Sequence, residues 1–275
     1  MKLRTSDCPS VIPYYGGKYE LSKKLIPLLP SHKRYFEPFF GGGSMYFRKP
    51  KADWNILNDI DNDLVNLYIC VATEFTELTK YIYWFIRSRS MYEDFCDFIK
   101  NSDEISIPDP LRAAQYFYVI RNAFNNIPYN SFSKDTYWHT KMVEELKFSR
   151  EKLNGATIEN LDFRKLIPRY DIREGDFLYL DPPYVVADKK KYYRNNFTEE
   201  LHIEMKELMD YVDTSNGEFM ISYDDIPFLR ELYKDYHVST IDTKYLGSNP
   251  DVRGDIKPEL LITNYKIEKN QTELF

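Results

Sequence analysis

Three cysteines in 275 residues, Cys8, Cys70 and Cys96, are too few and too scattered for a disulfide framework or a zinc ribbon. Reduced thiols are expected. The four histidines, His32, His139, His202 and His237, fall without ligand spacing, so no catalytic metal is expected. Asp59-Ile60-Asp61-Asn62-Asp63 imitates a calcium loop, but Leu64 stands where the sharp-turn glycine belongs and Cys70 where the bidentate glutamate belongs. No apolar run approaches the roughly 18 residues of a membrane span. Met1 to Pro9 lacks the apolar core and small-residue cleavage site of a secretory signal, and a soluble cytoplasmic protein is expected. Basic residues are not in excess: 37 Lys and Arg against 43 Asp and Glu give a net charge of -6, which excludes a uniformly basic coat but not local patches.

Aromatics are abundant, with 24 Tyr and 18 Phe, whose commoner use is core packing and whose rarer use is base stacking. Arg34 to Phe40 is an aromatic run closed by Gly41-Gly42-Gly43-Ser44, which predicts a buried strand and a tight turn, with a helix opening at Ser44 over Met45-Tyr46-Phe47. Trp54 to Asp59 predicts a second strand and Leu64 to Ile69 a helix, a parallel strand-helix alternation. From about residue 76 to 154 long amphipathic stretches take over, such as 78–86 and 113–120, and predict a helical insertion with a turn-rich loop at Asn122 to Ser131. Strand patterns return at 176–181, 218–223, 238–242 and 259–265, with helices at about 198–213 and 225–235, the last two strands forming an antiparallel pair. The expected fold is α/β: a Rossmann-like, mostly parallel seven-stranded sheet in residues 1–75 and 155–275, interrupted by a helical insertion at 76–154.

Two constellations carry chemistry. Asp181-Pro182-Pro183-Tyr184 follows a strand, where open α/β sheets place their ligand sites. The prolines fix φ and remove backbone donors, leaving the Pro182 carbonyl as an acceptor without a competing amide. An exocyclic base amine is a poor nucleophile because its lone pair is delocalised into the ring. The Asp181 carboxylate and Pro182 carbonyl can each accept one amine proton and turn the nitrogen toward sp³, with Tyr184 stacking on a base flipped out of a duplex. A stiff strand end is the plainer reading of these four residues taken alone. The second constellation is Phe39-Phe40-Gly41-Gly42-Gly43 after a strand, with Asp59 ending the next strand about twenty residues on, where a carboxylate can bind ribose hydroxyls. No Gly-Lys-Ser/Thr follows, so it is not a P-loop. Tyr15-Gly16-Gly17-Lys18 is a further glycine turn with a cation. Cys8 precedes Pro9 far from these motifs, so a cytosine-C5 nucleophile is absent and direct transfer without a covalent enzyme intermediate is expected.

In order along the chain, Gly-Gly-Lys, Glu-Pro-Phe-x-Gly-x-Gly, the acid after the second strand, Asp-Pro-Pro-Tyr and a C-terminal Glu-Leu-Leu strand resemble the Dam-type, D12 class, α group of site-specific DNA adenine-N6 methyltransferases. The resemblance covers nearly the whole chain. It implies S-adenosyl-L-methionine (AdoMet) as methyl donor, surrounded by Tyr15, Lys18, Glu37, Phe39, Gly41, Asp59 and Asp181, with Asp162 and Phe163 at its adenine ring. It implies Asp181, Pro182 and Tyr184 as the catalytic residues, double-stranded DNA as substrate, and target recognition by the insertion.

The family commonly shows Phe-Asn-Gly followed closely by an Arg, whereas Phe124-Asn125-Asn126-Ile127-Pro128-Tyr129 carries none, which argues against GATC as the target. Asn125, Tyr129 and Asn130 are candidate DNA contacts, turn formation being their ordinary alternative. Lys189, Lys190, Lys191 and Arg194, interleaved with tyrosines after the catalytic motif, form a candidate phosphate track. A monomer is expected, with a cognate restriction enzyme as a further partner. The alternatives are N4-cytosine methylation, more often linked to Ser-Pro-Pro-Tyr, and a DNA-binding regulator on a degenerate methyltransferase fold.

Overall fold

A computed structural model describes residues 10–13, 18–102, 105–134, 138, 141–183, 197–244 and 256–267. Seven strands form one sheet in the order β3-β2-β1-β4-β5-β7-β6: β1 (Arg34–Glu37), β2 (Trp54–Asn58), β3 (Thr157–Glu159), β4 (Asp176–Leu180), β5 (Glu218–Asp224), β6 (His237–Lys244) and β7 (Ile256–Thr263). β1 runs parallel to β2 and β4, and β4 parallel to β5, while β7 lies antiparallel between β5 and β6. The antiparallel terminal pair is as the sequence predicts. Chain order reverses between β1 and β4, the switch point outside whose carboxyl strand ends such sheets bind ligands.

The sequence makes this sheet for legible reasons. β4 is buried at all five positions, the near-continuous apolar run of a central parallel strand. Leu178 and Leu180 of β4 pack with Phe219 and Ile221 of β5, Leu260 and Ile262 of β7, and the helical Met205, Met209, Leu166 and Ile167. Register between β1 and β4 is pinned at its start: the Arg34 guanidinium forks onto Asp176, Nε to Oδ1 at 2.6 Å and the terminal amine to Oδ2 at 2.5 Å. The long helix Glu199–Thr214 begins at Thr198, whose hydroxyl accepts the Leu201 amide, and carries Glu199 and Glu200 in its first turn, favourable at the positive end of the helix dipole. It stops before Gly217, where a Cβ would lie 2.7 Å from Ile172 and 2.9 Å from Val212, so only glycine fits.

The remaining helices are α1 (Tyr19–Leu25), α2 (Asn62–Thr73), α3 (Phe75–Trp84), α4 (Arg89–Asn101), α5 (Pro110–Asn122), α6 (Lys141–Leu153), α7 (Phe163–Arg169) and α9 (Pro227–Leu232), with Glu199–Thr214 as α8. The helix expected from Ser44 does not form. Residues 44–48 are turns, closed by Phe47 and Lys49 amides on the Gly43 and Met45 carbonyls. Pro50 disfavours helical backbone at Lys49, leaving too few residues after the glycines to propagate a helix.

Contacts divide the chain into two compact units, one of residues 1–18, 41–51 and 59–160, the other of 19–40, 52–58 and 161–275. The first is helical at its centre, with Tyr116 to Ile120 of α5 fully buried. There Arg112 of α5 donates to Asp63 of α2, Nε to Oδ1 at 2.6 Å, both nearly inaccessible to solvent. The second unit holds most of the sheet. No helix among the described residues is long and apolar enough to cross a membrane.

Candidate active site

In the sheet-bearing unit the site residues gather at carboxyl strand ends. Glu37 closes β1, is buried, and accepts the Tyr35 hydroxyl at 2.7 Å through Oε2. Asp181, partly buried, follows β4 directly, and Pro182 behind it is buried. Negative charge at Asp181 is felt by two buried phenols, Tyr179 and Tyr223, both held well above the usual tyrosine range by burial and then by neighbouring charges that include it. Tyr179 shares a hydrogen bond of 3.0 Å with Ser222, and Tyr223 one of 2.8 Å with His202 Nδ1. Both phenols stay neutral. Tyr184 lies outside the described residues, as do Tyr15, Lys189, Lys190, Lys191 and Arg194.

Phe39, Phe163 and Phe197 form a triangle of rings with centroids 5.3, 5.6 and 5.5 Å apart. Asp162 caps α7 by accepting the Arg164 amide at 2.9 Å, and both of its oxygens also take the Arg164 side chain. That guanidinium, first by its hydrogen bond, holds the Asp162 carboxyl below the ordinary range. A carboxylate has about four lone-pair sites, so capacity remains for another donor.

Two residues here escape a reading of motifs. Asn58, buried at the end of β2, donates to the carbonyls of Pro38 and Leu161 at 2.9 Å each and accepts the Leu161 amide at 2.8 Å. One side chain therefore fixes both the Glu37-Pro38-Phe39 turn and the approach to Asp162-Phe163. An amide closing the strand directly after the apolar Ile56 and Leu57 was the available signal. Phe197 precedes the Thr198 cap and meets His202, four residues into α8, edge-to-face with ring centroids 4.6 Å apart, the pattern of a hydrophobic staple.

In the helical unit, Gly41 has φ of 47°, a left-handed conformation that favours glycine. Its amide donates to Asp59 Oδ2 at 2.8 Å and its carbonyl accepts the Tyr68 hydroxyl at 2.7 Å. Asp59 Oδ1 accepts the Asp61 amide at 3.0 Å, and Asp61 in turn caps α2. Burial raises the Asp59 pKa to about 6, the backbone amides of Asp61, Gly41 and Ile60 opposing and the Asp61 charge assisting the shift. Lys18 is buried ahead of α1.

The loop after α5 is a tight hairpin. An isolated antiparallel bridge joins Ala123 to Phe132, and Asn125, Asn126 and Tyr129 all take positive φ. Asn125 is half-buried. The Asn130 amide is used within the loop, its nitrogen donating to the Phe124 carbonyl at 3.3 Å and its oxygen accepting the Ser131 amide at 2.9 Å. Among the described residues no group of His, Cys, Asp and Glu could hold a metal ion.

The family model for D12 class N6 adenine-specific DNA methyltransferase matches residues 14–246. The chain is 28% identical to the type II methyltransferase M1.LlaDCHI of Lactococcus lactis subsp. cremoris, over 91% of this chain and 93% of that one. It is 26% identical to a DNA adenine methylase of Vibrio cholerae, over 84% and 86%, and 25% identical to the DNA adenine methylase of Escherichia coli K12, over 93% and 94%. With its mostly parallel seven-stranded sheet and Asp181 at the switch-point strand end, the chain belongs to the family of D12 class N6 adenine-specific DNA methyltransferases.

Proposed function

We propose that this enzyme methylates N6 of an adenine flipped out of double-stranded DNA, and that Asp181, Pro182 and Tyr184 carry the chemistry. The observation that bears most weight is the position of Asp181-Pro182 directly after β4, beside the reversal of strand order. Asp181 and the Pro182 carbonyl each accept one proton of the amine, which localises the nitrogen lone pair, and Tyr184 stacks on the base. Tyr179 and Tyr223 remain protonated beside Asp181. The catalytic contribution is positioning and electrostatics.

The residues present fit an adenosyl group. The Asp59 carboxylate is desolvated, and its hydrogen bonds from the Gly41 and Asp61 amides leave acceptor capacity for ribose hydroxyls. Within the sheet-bearing unit Phe39 and Phe163 offer aromatic contact for adenine and Asp162 an acceptor for its amine, and the family resemblance adds Tyr15, Lys18, Glu37, Gly41 and Asp181 to the proposed set. AdoMet, when bound, supplies an electrophilic methyl group on sulfonium. Asn58 keeps the Pro38 and Leu161 segments in place and so positions Phe39 and Asp162.

Residues 76–154, whose described part falls wholly within the helical unit, are proposed to read the target through Asn125, Tyr129 and Asn130, on a sequence other than GATC. Lys189, Lys190, Lys191 and Arg194 are proposed to track phosphates. A type II role beside a cognate endonuclease, with a monomeric enzyme, is the proposed setting, supported by the type II methyltransferase among the relatives.

The test is Asp181→Ala assayed with DNA and AdoMet, with the product nucleoside identified by mass spectrometry. The expected result is N6-methyladenine from the parent and none from the variant, with AdoMet binding retained. Full activity in Asp181→Ala overturns the mechanism, and N4-methylcytosine from the parent overturns the base assignment.

A further inference from the structure

An enzyme of net charge -6 that works on a polyanion must concentrate its cations locally. One such concentration lies within the helical unit, on residues that no motif singles out. Arg87 and Arg89 both lie over the ring of Phe132, their guanidinium carbons 4.6 and 5.1 Å from its centroid. Phe132 is the bridging residue of the hairpin that carries Asn125, Tyr129 and Asn130. Arg87 also donates to the Ser133 carbonyl at 2.5 Å. Both arginines are exposed, and among the described residues neither meets a carboxylate within ion-pair distance. A third cation repeats the pattern, with Lys100 5.4 Å from the centroid of the Tyr129 ring.

Two features of this arrangement oppose the favourable guanidinium–ring contacts. Two like charges share one ring, and they flank Ser88, the cap of α4, whose first turn has no acid. Cations there oppose the positive end of the helix dipole. The backbone between them is nevertheless held rigid. The Ser88 amide donates to the buried Tyr118 hydroxyl at 2.7 Å, that hydroxyl reaches the Ile86 carbonyl at 2.9 Å, and the Trp138 indole donates to the Phe85 carbonyl at 2.8 Å. A guanidinium laid on an aromatic ring keeps its edge donors free for planar, bidentate recognition of phosphate.

We infer that Arg87 and Arg89 form a phosphate clamp for the DNA backbone, set by Phe132 at the base of the recognition hairpin, so that the cations absent from the hairpin itself come from the α3–α4 connection and the first residue of α4. The inference rests on DNA being the substrate. Phe132 is the positioning residue, and the acids of the same helix, Glu93, Asp94 and Asp97, lie beyond ion-pair distance of both arginines.

The test is the salt dependence of binding to two labelled duplexes of unrelated sequence, for the parent, Arg87→Gln, Arg89→Gln, the double variant and the double lysine variant. Each guanidinium removed from a phosphate lowers the slope of log K against log salt by about 0.9, so the double variant falls by about 1.8. The loss is expected to be equal on both duplexes, to be largely restored by lysine, and to raise KM for DNA, with circular dichroism and AdoMet affinity unchanged. An unchanged slope and KM in the double variant overturn the clamp, and a loss confined to one sequence replaces it with base readout. Methyl transfer by the parent is measured alongside: its absence would sink the functional reading, whereas an unchanged slope sinks the clamp alone.

Discussion

The Gly41 amide donates to the Asp59 carboxylate at 2.8 Å, joining the glycine turn after β1 to the acid after β2 through one hydrogen bond. Gly41 reaches this geometry with φ of 47°, where a side chain would be strained. The bond fixes the orientation of the carboxylate proposed to take the ribose hydroxyls, and it does so in a buried setting that disfavours charge.

That setting gives AdoMet binding a pH dependence. The Asp59 pKa of about 6 means the carboxyl is partly protonated in mildly acidic solution. Ribose hydroxyls donate to the ionised form and favour it, so below pH 6 binding must expel a proton. Affinity is expected to fall by up to about tenfold per pH unit below about 6 and to level off above it, as single-proton linkage requires. Asp59→Asn should bind more weakly and with no inflection near 6. Calorimetric titration from pH 5 to 8 checks both, and an inflection that survives in Asp59→Asn assigns the effect elsewhere.

Phe163 separates packing from recognition. Its ring contacts Phe39 and Phe197 and is almost wholly buried. Phe163→Ala is expected to destabilise the enzyme by about 3–5 kcal/mol as a truncated core aromatic. Phe163→Leu keeps most of the volume and loses the ring, with about 0.5–1.5 kcal/mol of aromatic pairing per contact. If the ring meets the adenine of AdoMet, Phe163→Leu raises the AdoMet Kd severalfold while its unfolding shifts less than that of Phe163→Ala. Denaturant unfolding and AdoMet titration on the same sample decide it, and an unchanged Kd removes Phe163 from the cofactor set.

Much of this was legible because it is written in local pattern. Asp181 and Asp59 follow apolar runs, and 259–265 after 238–242 has the form of an antiparallel pair. What was not legible depends on partners far away in sequence. Asn58 matters through Pro38 and Leu161, one of them 103 positions distant, and Arg87 and Arg89 through Phe132. Phe197 carried a local signal, its place before Thr198, but gains its meaning from Phe39 and Phe163. The helix expected at Ser44 failed for a local reason, the brevity of the segment before Pro50.

The buried pair of Arg112 and Asp63 stabilises through geometry rather than charge alone. Arg112 also reaches the Ile99 carbonyl at 3.4 Å, so one guanidinium ties α5 to both α2 and α4. Asp63→Ala leaves that guanidinium buried without its carboxylate and is expected to cost about 3–5 kcal/mol. Replacing both partners with apolar residues of similar volume should cost less than the single change. Urea midpoints of the two variants test the order, and a double variant less stable than Asp63→Ala contradicts it.

His202 sets an acid limit that Asp59 opposes. Its Nδ1 is bonded to Tyr223, its Nε2 is buried without a partner among the described residues, and burial lowers its pKa to about 4. Phe197, Tyr223 and Phe228 surround the ring, so no neighbouring anion favours the imidazolium. The unfolded chain binds this proton near pH 6.5 and the folded one only near 4. Stability therefore falls as pH drops through that window, by at most about 1.4 kcal/mol per pH unit for one proton. Asp59 acts with the opposite sign. Its raised pKa contributes stability fully below about 3.8 that is lost as pH rises through 6, which masks part of the histidine effect. His202→Phe should thus flatten the acid limb between pH 6.5 and 4, and Asp59→Asn should steepen it. Thermal unfolding of both variants across that range measures the two slopes, and a steep limb that persists in His202→Phe places the acid sensitivity on another group.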